Sequence, residues 1–485
     1  MRFKRTYIRY LHIIPLTMLR KNGARRSELI YKSLSDFYSS MSLQPVMFLY
    51  ALIWTIQIEV VADMALQKVC EHNFKYPWEN CQNTSQLPEA IKMHKESDRL
   101  MYLSHLITNI PSIVLVLFLG PWSDRYGCKT TLILPFIGST LATVIYIFNA
   151  MQWDMSAEIL ILAGFPRALA GGPVTLQMAA YSYISDNAAH ESRTFLLGNI
   201  VLLYMLGKLL GGLLSDVVLD TCGHDGFFFI SLFIFVFCII YITLKIKDTR
   251  GLCLSGFTSS CNFTQSLLDV ATIENLKAGV VAIQRQREGH SRARIWLYIL
   301  TLCIIAFCTG MAPLEWPFIN NLFGWPYVEY ERFSLYDKGL GIFASFVFLF
   351  FFSYVHQAGD VVLATTVSVT LIIGVLLKGL AMSGWMIYLG ATISLLPQVP
   401  LIAAYSAISK LVSHSEFGAI FGEMTALEAL MPMVSTPLYS HLYTNTVEAS
   451  PSAIYVFTAI LTSITALTFL IIERLEKNRP GYQQI

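Results

Sequence analysis

The sequence predicts an all-α membrane protein of twelve transmembrane helices, arranged as two six-helix bundles. Three observations carry that prediction. Hydrophobic residues fill 55% of the 485 positions and charged residues only 14%, where a typical soluble domain is about 25% charged. Apolar runs near the ~20 residues that a helical span needs recur in two groups of six, separated by a polar stretch over 247–294. Lysine and arginine are also unevenly distributed: 24 of the 34 fall in segments that this topology puts on one side and 7 on the other.

Taken in order, residues 1–44 form a basic tail, with Arg2 to Lys32 rich in cations. No cleavable leader is expected from this basic stretch. Apolar runs at about 45–65, 100–121, 131–151, 158–182, 194–217 and 226–245 make the first bundle, 45–246. The 247–294 linker loop follows. Runs at about 295–317, 338–356, 361–381, 384–407, 417–440 and 452–472 make the second bundle, 295–473, and 474–485 is a short tail. These runs are too long, and alternate too little, for β-barrel strands. The cation bias places both termini and the linker in the cytosol. The sizeable outer loop, roughly 66–99, contains Asn83-Thr84-Ser85, an acceptor sequon on the side where glycosylation occurs, whereas Asn262-Phe263-Thr264 falls on the cytosolic side. Cys70, Cys81 and Cys222 would face the oxidising side, so one disulfide is open to them, with Cys70 and Cys81 the nearest pair.

The turn between the second and third runs reads Gly120-Pro-Trp-Ser-Asp124-Arg125-Tyr-Gly127-Cys-Lys129. It is short enough to force an antiparallel hairpin, with charge at the membrane face and glycines where backbones approach. It resembles the loop signature of the major facilitator superfamily, with Cys128 where that family usually has Arg. The resemblance implies two six-helix bundles flanking a midplane cavity, and a gating loop made of Gly120, Asp124, Arg125, Gly127 and Lys129. A narrower resemblance, to the proton-coupled folate transporter family (solute carrier family 46), rests on anchors spread along the chain. They are Pro45 with Gln57, Cys81-Gln82-Asn83-Thr84-Ser85, Ile184-Ser-Asp186, Glu191-Ser-Arg193-Thr194-Phe195, and Ser409-Lys410-Leu411 leading to Gly418-Ala419-Ile420-Phe421. It implies a proton-coupled carrier of small anionic solutes such as folate-like compounds, cyclic dinucleotides or muropeptides. Four positions depart from the folate carrier: Gly172, Val201, Thr309 and Tyr405 stand where it has an acid, a Glu, a His and an Arg. Gly324 also stands where a cysteine of the family's outer disulfide is expected.

Charges inside spans are costly and mark cavities or partners. Glu59 and Asp63 lie four apart on one face of the first helix, Arg167 sits in the fourth, Lys208 in the fifth, and Glu423 and Glu428 in the eleventh. For an anionic solute, Arg167 and Lys208 are the natural counter-charges and Glu59 and Glu428 the natural proton carriers, with Tyr405 beside them by the resemblance. The structural alternative is an ion pair such as Arg167 with Glu59. Lys378 and Asp216 read as span-end residues that snorkel, and Glu315 as a solvated helix end. Gly164, Ala168 and Gly172 recur every four residues, Gly207 and Gly211 form a GxxxG face, and Pro166, Pro173, Pro432 and Pro437 interrupt backbone bonding.

Several function classes are excluded by what the chain lacks. There is no HExxH, GxSxG or GxxxxGK, which excludes the common enzyme constellations; the nine cysteines show no metal spacing, and a net charge of +2 argues against nucleic acid. No cofactor is implied. The expected partners are a small-molecule solute, protons and the lipid bilayer. A receptor that binds a ligand and moves nothing is the competing class, and saturable flux separates the two. The chain ends Gly481-Tyr482-Gln483-Gln484-Ile485. This looks like the tyrosine sorting signal of lysosomal membrane proteins, with Tyr482 and Ile485 offered to a sorting adaptor. The expected location is therefore the lysosomal or endosomal membrane, or the plasma membrane.

Overall fold

The computed structural model describes residues 42–81, 88–248, 269–287 and 289–477. The basic tail before residue 42, Asn83, and the Tyr482 and Ile485 terminus lie outside the described residues. Regular structure among the described residues is entirely helical, and ten helices are long and apolar enough to cross a membrane.

α1 (Gln44–Lys68) carries Pro45 in its first turn, where a missing N–H costs nothing. α2 (Ala90–Tyr126) runs well past the predicted end of the second span, and α3 (Cys128–Met151) starts immediately after it. The predicted ten-residue turn is thus a single residue, Gly127, at φ 105°. A side chain there would collide with the Asp248 carboxylate as well as strain the backbone.

The fourth run breaks into α4 (Gly164–Leu169) and α5 (Gly172–Asn187) at Gly171 and Gly172, both at positive φ. α6 (Arg193–Lys245) joins two predicted spans in 53 residues, with non-helical backbone at Gly223. Its GxxxG face packs on α1: a Cβ on Gly207 or Gly211 would press on the backbone at Phe48 and Leu52.

The linker contributes α7 (Ile273–Gln284). Beyond it come α8 (Ser291–Cys308), α9 (Glu315–Phe323), α10 (Tyr327–Phe348) and α11 (Asp360–Gly379). The run predicted over 384–407 is two short helices, α12 (Gly384–Ile393) and α13 (Val399–Leu411). α14 (Phe417–Thr446) continues through Pro432 and Pro437; the Thr436 hydroxyl donates to the Pro432 carbonyl at 2.9 Å, and α15 (Ala453–Lys477) closes the chain.

Apolar packing differs between the two ends of the molecule. At the end bearing Asp124, one continuous core mixes residues from both sides of the linker, among them Leu119, Phe195, Ile402 and Phe421. At the end bearing Cys70 the core divides. Ile56, Met64, Tyr146 and Phe228 form one cluster, and Phe318, Phe333, Tyr439 and Tyr455 another. α6 follows the same gradient, buried without a break from Arg193 to Leu202 and exposed at Gly212 to Leu214. The elements before and after the linker therefore close on each other at the Asp124 end and part towards the Cys70 end. A small separate core, Cys70 with Cys81 and Met93, includes a disulfide joining the two cysteines, Cα atoms 5.8 Å apart.

Candidate functional site

Arg167 lies on α4, just before the glycine break that ends that helix. Its side chain is 6% exposed and is held by neutral groups. One guanidinium nitrogen donates to the Tyr146 hydroxyl at 3.1 Å and another to the Gln57 side-chain carbonyl. Gln57 is oriented in turn by its amide, which donates to the Thr143 hydroxyl at 2.9 Å. The guanidinium plane rests on Trp54 and Tyr146, 4.6 and 5.1 Å from the ring centroids. Its Nε is buried with no acceptor, and no carboxylate pairs with it among the described residues. Ring faces and amide dipoles offset only part of the cost of burying that charge. A cation remains that an incoming anion can satisfy.

The ion pair between Arg167 and Glu59 considered from the sequence does not form. Glu59 is exposed and lies by Asp216 rather than Arg167. Asp63, one turn further on, is a tether: it accepts from Gln67 at 2.8 Å and meets His224 Nε2 at 2.9 Å.

Glu428, Tyr405 and Lys208 come together. The Tyr405 hydroxyl donates to the Glu428 carboxylate at 2.5 Å, and its ring packs 4.6 Å from Tyr181. Lys208 is exposed, sits 5.5 Å over Tyr204, and lies within electrostatic reach of both Glu428 and Lys338. α10 meets α6 beside Lys338: a Cβ on Gly339 would stand at ordinary contact distance, 3.7 Å, from Leu209. Tyr50 links the two groups, stacking on Trp54 at 5.6 Å and lying near Arg167 and Tyr204. Sequence reasoning missed Lys338 because it stands at a predicted span end. It missed Trp54 and Tyr181 because aromatic residues are common throughout.

The Asp124 end is braced in two places. The Asp124 carboxylate accepts from the backbone N–H groups of Gly418 and Ala419 at 2.7 and 2.8 Å, capping the N-terminus of α14. Gly120 and Gly418 allow the approach, since a Cβ on either would strike the other's carbonyl. Lys129 donates to the Thr243 carbonyl at 2.7 Å, tying α3 to the last turn of α6. Arg125 is exposed. In the second brace the Thr194 hydroxyl donates to Asp360 at 2.6 Å, Lys410 pairs with Asp360 at 2.7 Å, and Arg193 donates to the Ser409 carbonyl at 2.8 Å. The stretches at 191–195 and 409–421 that carried the family resemblance therefore meet in space.

Two groups outside the spans are shifted there. Burial, then the Lys410 and Arg193 charges, pull His190 below its ordinary value. Burial pushes Asp248 up against the opposing pull of the Lys129 and Cys128 backbone N–H groups. The linker adds Arg285 and Arg287, 2.6 and 2.7 Å from Glu416.

A sequence model of the Major Facilitator Superfamily matches residues 97–399. A probable peptidoglycan muropeptide transporter of solute carrier family 46 from Drosophila melanogaster is 23% identical over 87% of this chain and 83% of its own length. A lysosomal proton-coupled steroid conjugate and bile acid symporter of the same family from Mus musculus is 24% identical over 91% of this chain and 96% of its own. The crystal structure of a human organic anion transporter superposes with a TM-score of 0.66 at 15% identity, covering 90% of this chain and 99% of that one.

Proposed function

The chain belongs to the major facilitator superfamily, and from that membership we propose a secondary active transporter that carries a bulky organic anion by alternating access, together with protons. Counting α6 as two spans divided at Gly223, and α12 with α13 as one, gives twelve spans in two six-helix halves, 45–246 and 295–473. The cation bias makes the Asp124 end cytosolic. The structure then corresponds to the state open on the outer, or luminal, side.

The observation that carries this reading is Arg167, a buried guanidinium with no carboxylate partner. Lys208 and Lys338 add two cations within electrostatic reach of each other, and the buried rings of Trp54, Tyr204 and Tyr405 pack beside Arg167, Lys208 and Glu428 respectively. An anion with a flat or apolar portion fits these surroundings, as steroid conjugates and folates do. Glu428 and Glu59 are the proton carriers that the sequence alone offers. Asp124 and Asp360 hold the cytosolic end shut until the solute is bound. The similarity to a lysosomal symporter and the Gly481-Tyr482 terminus both favour an endolysosomal membrane, with Asn83 glycosylated in the lumen and flux from lumen to cytosol.

The test is uptake of labelled bile acid, muropeptide and folate probes into proteoliposomes holding the full chain, at acidic and neutral outer pH. Saturable flux of at least one probe, lost in Arg167→Gln, is expected. Binding with no flux of any probe would favour the receptor.

A further inference from the structure

Lys378 does not snorkel, and Glu315 is not a solvated helix end. Lys378 is 7% exposed and pairs with Asp337 of α10 at 3.0 Å and with Glu315 of α9 at 3.4 Å. Phe333 covers its ammonium at 5.3 Å, and the Tyr330 hydroxyl donates to Glu315 at 3.3 Å. Two carboxylates against one ammonium leave one negative charge, on side chains 15% (Glu315) and 26% (Asp337) exposed and walled by Phe333 and Tyr330. Tyr455 of α15, 1% exposed, lies against Gly379 with its hydroxyl unpartnered and within electrostatic reach of Glu315, Tyr330 and Asp337. Tyr388 of α12 and Tyr443 of α14 also stand around the cluster, with Tyr327 against Tyr330 and Tyr336 against Tyr388.

We propose that Glu315, Asp337 and Lys378 form the binding site of the transported proton, apart from the solute site and on the open side of the molecule. The proposal rests on the proton-coupled reading above and places its proton here rather than on Glu428 or Glu59. Water on the Cys70 side delivers the proton to a carboxylate oxygen of the Glu315 and Asp337 pair. The excess charge is then cancelled, and the protonated carboxyl gains a donor for which the Tyr455 hydroxyl is a waiting acceptor. The remaining carboxylate keeps Lys378. α10 carries Asp337 into this cluster and the adjacent Lys338 within electrostatic reach of Lys208. A shift of α10 that follows the proton therefore moves a cation that meets the anion. Loss of the proton on the cytosolic side restores the excess charge and resets the helix.

The experiment needs no substrate, so its failure is distinguishable from failure of the transport reading. Acid-minus-neutral infrared difference spectra are recorded on the full chain in lipid nanodiscs, with and without sodium. The wild type should show the C=O stretch of a buried carboxylic acid, unchanged by sodium. Either Glu315→Gln or Asp337→Asn removes the excess charge, so each should abolish that band, while Glu428→Gln should keep it. Should neither neutral variant fold, Tyr455→Phe keeps all three charges and should shift the band. No band in the wild type, a band that survives both folded variants, a band displaced by sodium, or one unshifted in Tyr455→Phe would overturn the proposal.

Discussion

The proposed solute site turns on Arg167, and the surroundings of that residue define how the proposal can be tested. A charge-assisted hydrogen bond is worth about 1.5–3 kcal/mol, so Arg167→Gln should lower anion uptake by about 10- to 100-fold. The same change removes a buried charge that lacks a counter-ion, so the variant's thermal unfolding should be no earlier than wild type; a clear loss of stability would mean that the guanidinium is structural. Arg167→Lys should not restore uptake, because an ammonium cannot reach the Gln57 and Tyr146 oxygens as a planar fork.

His190 provides a pH-dependent test. Its folded-state value lies below its unfolded one, so the neutral form favours the fold around it, and a proton there meets the repulsion of Lys410 and Arg193. That contribution is fully present above the unfolded value and is lost as cytosolic pH falls through the folded one. Acidifying the cytosolic side should therefore loosen the Arg193–Lys410–Asp360 brace, and His190→Gln should remove the effect. Labelling of cysteines placed at the brace would read it. The sequence exposed Arg167 as a charge in an apolar run, but not its partners. Glu59 could be placed on a helix only by periodicity, and which side of α1 meets α4 is decided by packing. The same limit turned Lys378 from a buried cation into a span-end residue.

At the scale of the helix, the α2–α14 contact is built on two glycines and one carboxylate. Gly120→Ala puts a methyl into the Gly418 carbonyl, and Asp124→Ala removes a cap worth about 1 kcal/mol. Both should leave the protein in its membrane, slow flux, and raise the reactivity of cysteines placed on α14 near Ala419. Unchanged uptake at equal expression would show that this brace does not gate. The Cys70–Cys81 disulfide closes an 11-residue separation, for which loop-closure entropy gives about 3 kcal/mol. Replacing both cysteines by serine should lower the unfolding temperature while leaving the solute affinity unchanged.

The break between α4 and α5 was foreshadowed by Pro166, Gly172 and Pro173. The break between α12 and α13 passed as a continuous apolar run, although Pro397 and Pro400 stand in or beside it. Hydropathy cannot separate a broken helix from a whole one when both halves are apolar, as α12 and α13 are. Glycine turns are similarly opaque: Gly127 ends α2, whereas Gly120 lies inside it.

For the molecule as a whole, the all-helical, multi-span membrane class follows from composition, because bilayer physics makes every spanning helix long and apolar. The state of the cleft does not. It depends on which of two packings wins at each end, and that shows only in the division of the core towards Cys70 and its continuity at Asp124. The central claim is that these two ends open alternately around Arg167. Pulsed electron–electron spin resonance between labels at positions 217 and 328 on the Cys70 side, and between 125 and 415 on the Asp124 side, tests it most directly. With an anion that binds, acidic pH should shorten the first distance and lengthen the second in the same sample, and Arg167→Gln should abolish both changes. Distances that stay fixed at both ends while the anion is bound would contradict the account.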